Sequence, residues 1–186
     1  DSSSYIISAA NDPISGDITL PSTYNNKPVT SIGRGAFSNC DGLTSVVIPD
    51  SVITIGMDAF YDCDSLTNVI IPDSVTSIGS SSFNNCSKLT SVTIGNGVTY
   101  ISTYAFANNY NLTSVVIGDS VISIGDHAFE YCSSLTSVVI GDSVTSIGDD
   151  AFYYCSSLEQ ITISLNNTKY KNIDGNHIYS KNGTTL

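Results

Sequence analysis

Leu112 to Cys132 reads LTSVVIGDSVISIGDHAFEYC, and Leu135 to Cys155, 23 residues later, reads LTSVVIGDSVTSIGDDAFYYC. This period, with few charges inside it, constrains the fold more than any other feature of the chain. A unit of that size cannot bury its apolar side alone and must stack on copies of itself, as solenoids do. Six copies align without a gap, with Phe at 37, 60, 83, 106, 129 and 152 and Leu at 43, 66, 89, 112, 135 and 158. Val recurs at 29, 52, 75, 98, 121 and 144, and Ile at 32, 55, 78, 101, 124 and 147 and again at 48, 71, 94, 117, 140 and 163.

Leu43, Val46 and Ile48 form an L-x-x-V-x-I pattern whose end alternates inward and outward, the signature of a strand. Each repeat therefore adds one strand, and the strands form a parallel sheet along one face at a spacing of about 4.8 Å. Pro49-Asp50-Ser51, or Gly118-Asp119-Ser120 in a later copy, turns the chain, and Val52 and Ile55 face inward again from a second short extended run. Gly56 then opens a short helical turn carrying Ala59 and Phe60, with Gly33, Gly79, Gly125 and Gly148 in the equivalent slot. Ser102 takes that slot once, so the backbone there does not require positive φ. The prediction is an α/β repeat solenoid with a parallel sheet on one face and short helical or 3-10 turns opposite.

The six repeats span 29–163. Residues 1–28 lack the period; Tyr5 to Ser8 and Asp17 to Leu20 read as two strands around the turn-forming Asn11-Asp12-Pro13 and Ser15-Gly16, an irregular hairpin that caps the first repeat. After Ile163 the period stops, and 164–186 read as a β-rich C-terminal cap, with turn signals at Asp174-Gly175 and Asn182-Gly183 and a strand centre at Ile178-Tyr179. The chain begins without Met and ends on Thr185-Leu186 where a further strand has room to start, so a longer parent protein is expected.

The chain carries 6 basic and 17 acidic residues, a net charge of -11. Between Gly35 and Thr168 the only basic residue is Lys88, so no basic patch exists to hold phosphate, and nucleic acid and anionic membranes are poor partners. Apolar runs such as Val69 to Ile71 are far too short for membrane insertion.

The unit V-T-S-I-G-x-x-A-F-x-x-C-x-x-L-T-S-V-x-I-P, as in Val75 to Gly79 and Ala59 to Cys63, resembles the BspA-like, or Treponema-type, leucine-rich repeat. The resemblance covers Val29 to Ile163 and extends into Pro21 to Val29 and Tyr170 to Leu186. It implies a right-handed leucine-rich-repeat superhelix and a bacterial surface or secreted protein; such proteins bind host extracellular proteins or mediate adhesion and co-aggregation. No catalytic residues converge in the pattern, so neither an enzyme nor a cofactor is expected.

The outward positions of the strands are the natural binding face. Val47, Ile70, Thr93, Val116, Val139 and Thr162 form one row, and Ser45, Asn68, Ser91, Ser114, Ser137 and Gln160 the row beside it. Such a strip suits a protein or an extended peptide. The same residues are also what strand propensity alone selects, or what a second copy or a neighbouring domain covers, so a spacer in a larger surface protein stands beside the binding module and the oligomeric state stays open.

Cys40, Cys63, Cys86, Cys132 and Cys155 recur at one slot, with Asn109 in the missing place. The odd count and the Asn replacement point to buried free thiols that fill or hydrogen-bond a turn; a linear ladder does not converge on zinc. Asp50, Asp73, Asp119 and Asp142, with Asn96 between, form a second ladder, read as solvated turn caps rather than a calcium site, which needs six to eight converging oxygens. Gly118-Asp119-Ser120 and Gly141-Asp142-Ser143 share the slot of Pro49-Asp50-Ser51 and are turns, not hydrolase motifs; His127 and His177 stand in no Ser/His/Asp setting. Asn85, Asn111, Asn166 and Asn182 begin glycosylation sequons, meaningful only in a eukaryotic secretory pathway.

Overall fold

A computed structural model describes residues 3–8, 13–172 and 178–180. The leading segment holds β1 (Tyr5–Ile7), β2 (Gly16–Thr19), β3 (Thr23–Tyr24) and β4 (Lys27–Ile32). Two strands per repeat follow: β5 (Leu43–Val47) and β6 (Thr54–Ile55), β7 (Asn68–Ile71) and β8 (Ser77–Ile78), β9 (Ser91–Ile94) and β10 (Tyr100–Ile101). The pattern continues with β11 (Ser114–Ile117) and β12 (Ser123–Ile124), β13 (Ser137–Ile140) and β14 (Ser146–Ile147), then β15 (Gln160–Ile163), β16 (Tyr170–Asn172) and β17 (Ile178–Ser180).

The longer strands β7, β9, β11, β13 and β15 form one parallel sheet, paired in the repeat register, as in Val115 with Val138 and Val138 with Ile161. The second extended run, expected only to turn Val52 and Ile55 inward, builds a sheet of its own: β1, β4, β6, β8, β10, β12 and β14 lie side by side, all parallel. The chain is thus a solenoid of about seven turns with sheets on two sides, which conforms to the leucine-rich-repeat architecture.

The third side corrects the expectation of helical turns. Among the described residues there is no α-helix or 3-10 helix; the stretch from Gly56 to Asp62 and its counterparts are chains of turns. Alternate N–H groups leave the repeat: Asp58, Phe60 and Asp62 donate to the carbonyls of Ser80, Ser82 and Asn84 in the next one, at 3.0, 2.7 and 3.0 Å. Only the intervening Ala59 and Tyr61 bond locally, to Gly56 and Asp58. A helix keeps its N–H groups along its own axis, so donors spent on the neighbouring turn are unavailable to it. Left-handed residues complete the break: Asp58 at φ 55° and Asp62 at φ 62° stand four apart, and each repeat copies them.

The core runs the length of the stack. Phe37, Phe60, Phe83, Phe106, Phe129 and Phe152 form a column of parallel rings with centroids 5.0 to 5.3 Å apart. Against it lie the Leu, Val and Ile ladders, with Leu66, Val75, Ile78 and Leu89 wholly buried. The glycine slot is set by closeness rather than by φ: a Cβ on Gly79 would stand 2.6 Å from the backbone carbon of Gly56, and φ there is not positive.

The two strands at the start do not form a hairpin with each other. β1 joins the short-strand sheet beside β4, and β2 pairs parallel with β5, so the leading segment behaves as a degenerate repeat. Asp17 fixes it by accepting hydrogen bonds from Thr44 Oγ1 at 2.6 Å and Ser45 Oγ at 2.7 Å. Those two donors favour the charged form and hold its carboxyl below the usual range. Asn11 and Asp12 of the expected turn lie outside the described residues.

The repeat spacing reaches beyond Ile163. Asn167 follows Val144 by 23 residues and Tyr170 follows Ile147 by the same interval, and both are buried. Asn167 Nδ2 donates to the carbonyls of Gly141 (2.8 Å) and Val144 (3.0 Å), while its Oδ1 accepts from the N–H groups of Lys169 and Tyr170. β16 then pairs antiparallel with β17, which holds Ile178 and Tyr179; Asp174, Gly175, His177, Asn182 and Gly183 lie outside the described residues.

Candidate binding faces

The pleat of the longer strands places Val47, Ile70, Thr93, Val116, Val139 and Thr162 outward in one line. Val47 is 56%, Ile70 65%, Val116 55% and Val139 38% exposed, so four branched apolar side chains of this line face solvent. In the adjoining line Asn68, Ser91, Ser114 and Gln160 are exposed, whereas Ser45 and Ser137 are half-buried. Ser45 is covered because its hydroxyl is held by Asp17 of β2. Beside these lines a threonine ladder ties the edge together: the hydroxyls of Thr67, Thr90, Thr113 and Thr136 each donate to the carbonyl of the threonine one repeat earlier.

The cysteines are free and buried; four of them donate internal hydrogen bonds, and Cys40 Sγ accepts one from the N–H of Ile14 at 3.4 Å. Cys63, Cys86, Cys132 and Cys155 donate through Sγ to the carbonyls of Phe37, Phe60, Phe106 and Phe129 at 3.1 to 3.2 Å. Asn109 does the same work, its Nδ2 reaching Phe83 O at 2.9 Å and Phe106 O at 2.7 Å, which explains why Asn alternates with Cys in this slot. A hydrogen bond with the adjacent thiol (Cys63 for Cys86, Cys155 for Cys132), followed by burial, pushes the thiols of Cys86 and Cys132 well up, so they stay protonated.

The aspartate ladder is a set of caps. Asp73 Oδ1 accepts from the N–H of Asn96 at 2.6 Å, and Asp119 Oδ1 from that of Asp142 at 3.3 Å. Asp142 in turn accepts from Ser164 Oγ and Asn166 Nδ2. Ser120, half-buried, and Ser143, exposed, follow these aspartates in the turns after the longer strands, whereas His127 lies in the turn ribbon. Among the described residues no group of three His, Cys, Asp or Glu is placed to share a metal ion.

The turn ribbon carries features that the repeat reading passed over. Arg34, Gly35, Ser38, Asn39, Asp58 and Tyr61 line an open depression of about 540 Å³, across which Arg34 Nε stands 3.7 Å from Asp58 Oδ2. Further along, His127 is half-buried, stacked on Tyr104 with ring centroids 4.7 Å apart and with Nδ1 3.3 Å from Glu130 Oε2. Tyr131, Tyr153 and Tyr154 cluster beyond it, and the bond to Tyr154 raises the Tyr153 phenol above its ordinary range. The register itself was the available signal: Tyr131 and Tyr154 share one slot.

These features define a parallel β-solenoid of stacked repeats whose solvent-facing side chains form outward rows. The chain belongs to the BspA type leucine rich repeat family, whose profile matches 16–134 and 99–182. A leucine rich cell surface protein of Faecalibacterium prausnitzii has 35% identity over 95% of this chain and a TM-score of 0.67. The Treponema pallidum leucine rich repeat protein has 29% identity over 86% of it and a TM-score of 0.63. A leucine-rich repeat protein of Eubacterium ventriosum has 31% identity over 76% and a TM-score of 0.70. The chain spans 54%, 63% and 37% of those three proteins, respectively. No curated protein matches it.

Proposed function

We propose that this chain is a non-catalytic binding module of a secreted or cell-surface protein, presenting the outward rows of its longer-strand sheet to a host or neighbouring-cell protein. Residues 29–163 supply the face, and 1–28 and 164–186 close the two ends. The observation that carries the reading is the line of solvent-facing branched side chains Ile70, Val116 and Val139 on a sheet whose inward rows are already packed, continued by Val47 of β5. Apolar groups held in a regular row shed their water on contact, and the adjoining Ser and Asn side chains supply hydrogen bonds at the rim. The cell-surface description of the Faecalibacterium protein agrees with this setting. Among the described residues no helix is long and apolar enough to cross a membrane.

The test is capture by a panel of immobilised mammalian extracellular-matrix proteins, with the described chain in solution. The expected result is saturable binding to at least one of them, abolished by Val116→Lys with Val139→Lys in a protein that still folds and melts cooperatively. Binding that survives the double substitution moves the site off this face. Absence of binding across the panel favours the spacer reading, in which the solenoid holds other parts of a larger surface protein apart.

A further inference from the structure

Two slots of the turn ribbon are held at positive φ in every repeat, and their occupants change along the array. The second slot is filled by Asn39, Asp62, Asn85 and Asn108, then by Tyr131 and Tyr154, at φ 58° and 54°. Asn and Asp visit the left-handed region readily, whereas a bulky aromatic residue does so against its own backbone preference. The core does not ask for tyrosine here, since both rings face outward, 38% and 54% exposed. They stack on each other with centroids 4.9 Å apart, and Tyr153 meets Tyr154 edge-on at 4.3 Å. In the same turns stand the carboxylates of Asp126, Glu130, Asp149 and Asp150, and no Lys or Arg occurs between Lys88 and Lys169.

We infer that Tyr131, Tyr153 and Tyr154, with these carboxylates, form a docking site for a basic polypeptide segment, its guanidinium groups laid against the ring faces. The negative face of an aromatic ring attracts a cation, and arginine is the better partner because its planar, weakly hydrated head stacks. The carboxylates add attraction that salt screens, and no Lys or Arg stands among them to cancel it; the one base in contact is His127, beside Glu130. A neutral sugar would use the rings but leave the charge without a role. This site lies on the turn ribbon and is independent of the sheet face proposed above.

Fluorescence anisotropy with a labelled hexa-arginine peptide, against hexalysine and hexaglutamate, reads it directly. Saturable binding is expected, tightest for hexa-arginine, absent for hexaglutamate and weakened by salt. Tyr131→Asn with Tyr154→Asn installs the residue that the slot favours elsewhere, so the melting temperature should hold while hexa-arginine affinity falls about tenfold. Val116→Ser with Val139→Ser should leave peptide binding unchanged, which separates failure of this site from failure of the sheet face. Equal binding by the double Asn variant, or equal affinity for hexalysine, would reduce the effect to diffuse acidity and overturn the site. A melting temperature lowered by the Asn pair would make the rings structural, and binding of maltohexaose in place of the peptide would assign them to sugar; each outcome also counts against it.

Discussion

The longer-strand sheet and the turn ribbon both repeat every 23 residues and both present outward rows, yet their outward residues carry different information. On the sheet, Ile70, Val116 and Val139 are what an extended backbone prefers, so local physics and a binding role ask for the same side chains. On the ribbon, Tyr131 and Tyr154 sit at positive φ, where local physics asks for Asn, Asp or Gly. A residue placed against its backbone preference says more about selection than one placed with it. The inward rows of both regions belong to a single core, and there the contrast disappears.

Cutting into that shared core has the largest effect. Phe106→Ala removes the middle of the ring column, where no neighbour can slide in to fill the space, and should lower stability by about 3 to 5 kcal/mol. Chemical denaturation checks it, and an unchanged midpoint would dissolve the single core. The contrast itself is sharpened by one residue placed on each face. Val116→Asn should cost up to about 1 kcal/mol, because Asn suits a strand poorly. Tyr131→Asn should cost nothing, since about 1 kcal/mol regained at positive φ offsets the lost stacking. Equal losses in thermal melts of the two variants would erase the distinction between the faces.

The smallest effect belongs to Asp17, which fastens β2 to β5. Its carboxyl titrates below the ordinary range when folded because Thr44 and Ser45 donate to the charged form. That contribution is present above the ordinary carboxylate range and lost as pH falls through the folded value. Asp17→Asn should therefore show a small deficit at neutral pH that vanishes at low pH, read from melting temperatures across an acid series.

Much of this was legible in the sequence because the repeat averages out local ambiguity. One L-x-x-V-x-I run is a weak strand signal, but six in register fix inward and outward positions, and Leu43, Val46 and Ile48 all proved buried. The cysteine slot was readable as well, since Asn109 showed that the position needs a small hydrogen-bond donor. The helical turn failed for a reason no single repeat contains: Gly56 to Asp62 has helix-compatible residues, but half its donors are spent on the next repeat. Asn167 was missed because an Asn in a Val slot looks like the end of a pattern, when its four hydrogen bonds make it a continuation.

The sequence by itself determined the period, the register and the set of residues that stack, because side-chain burial repeats with the chain. Only the tertiary structure decided where backbone N–H groups go, and with that the second sheet, the absence of helix among the described residues and the positive φ of the ribbon slots. Backbone hydrogen bonds between repeats are contacts between residues 22 to 24 apart, and a periodic sequence names the partners of every apolar row without saying which donors cross.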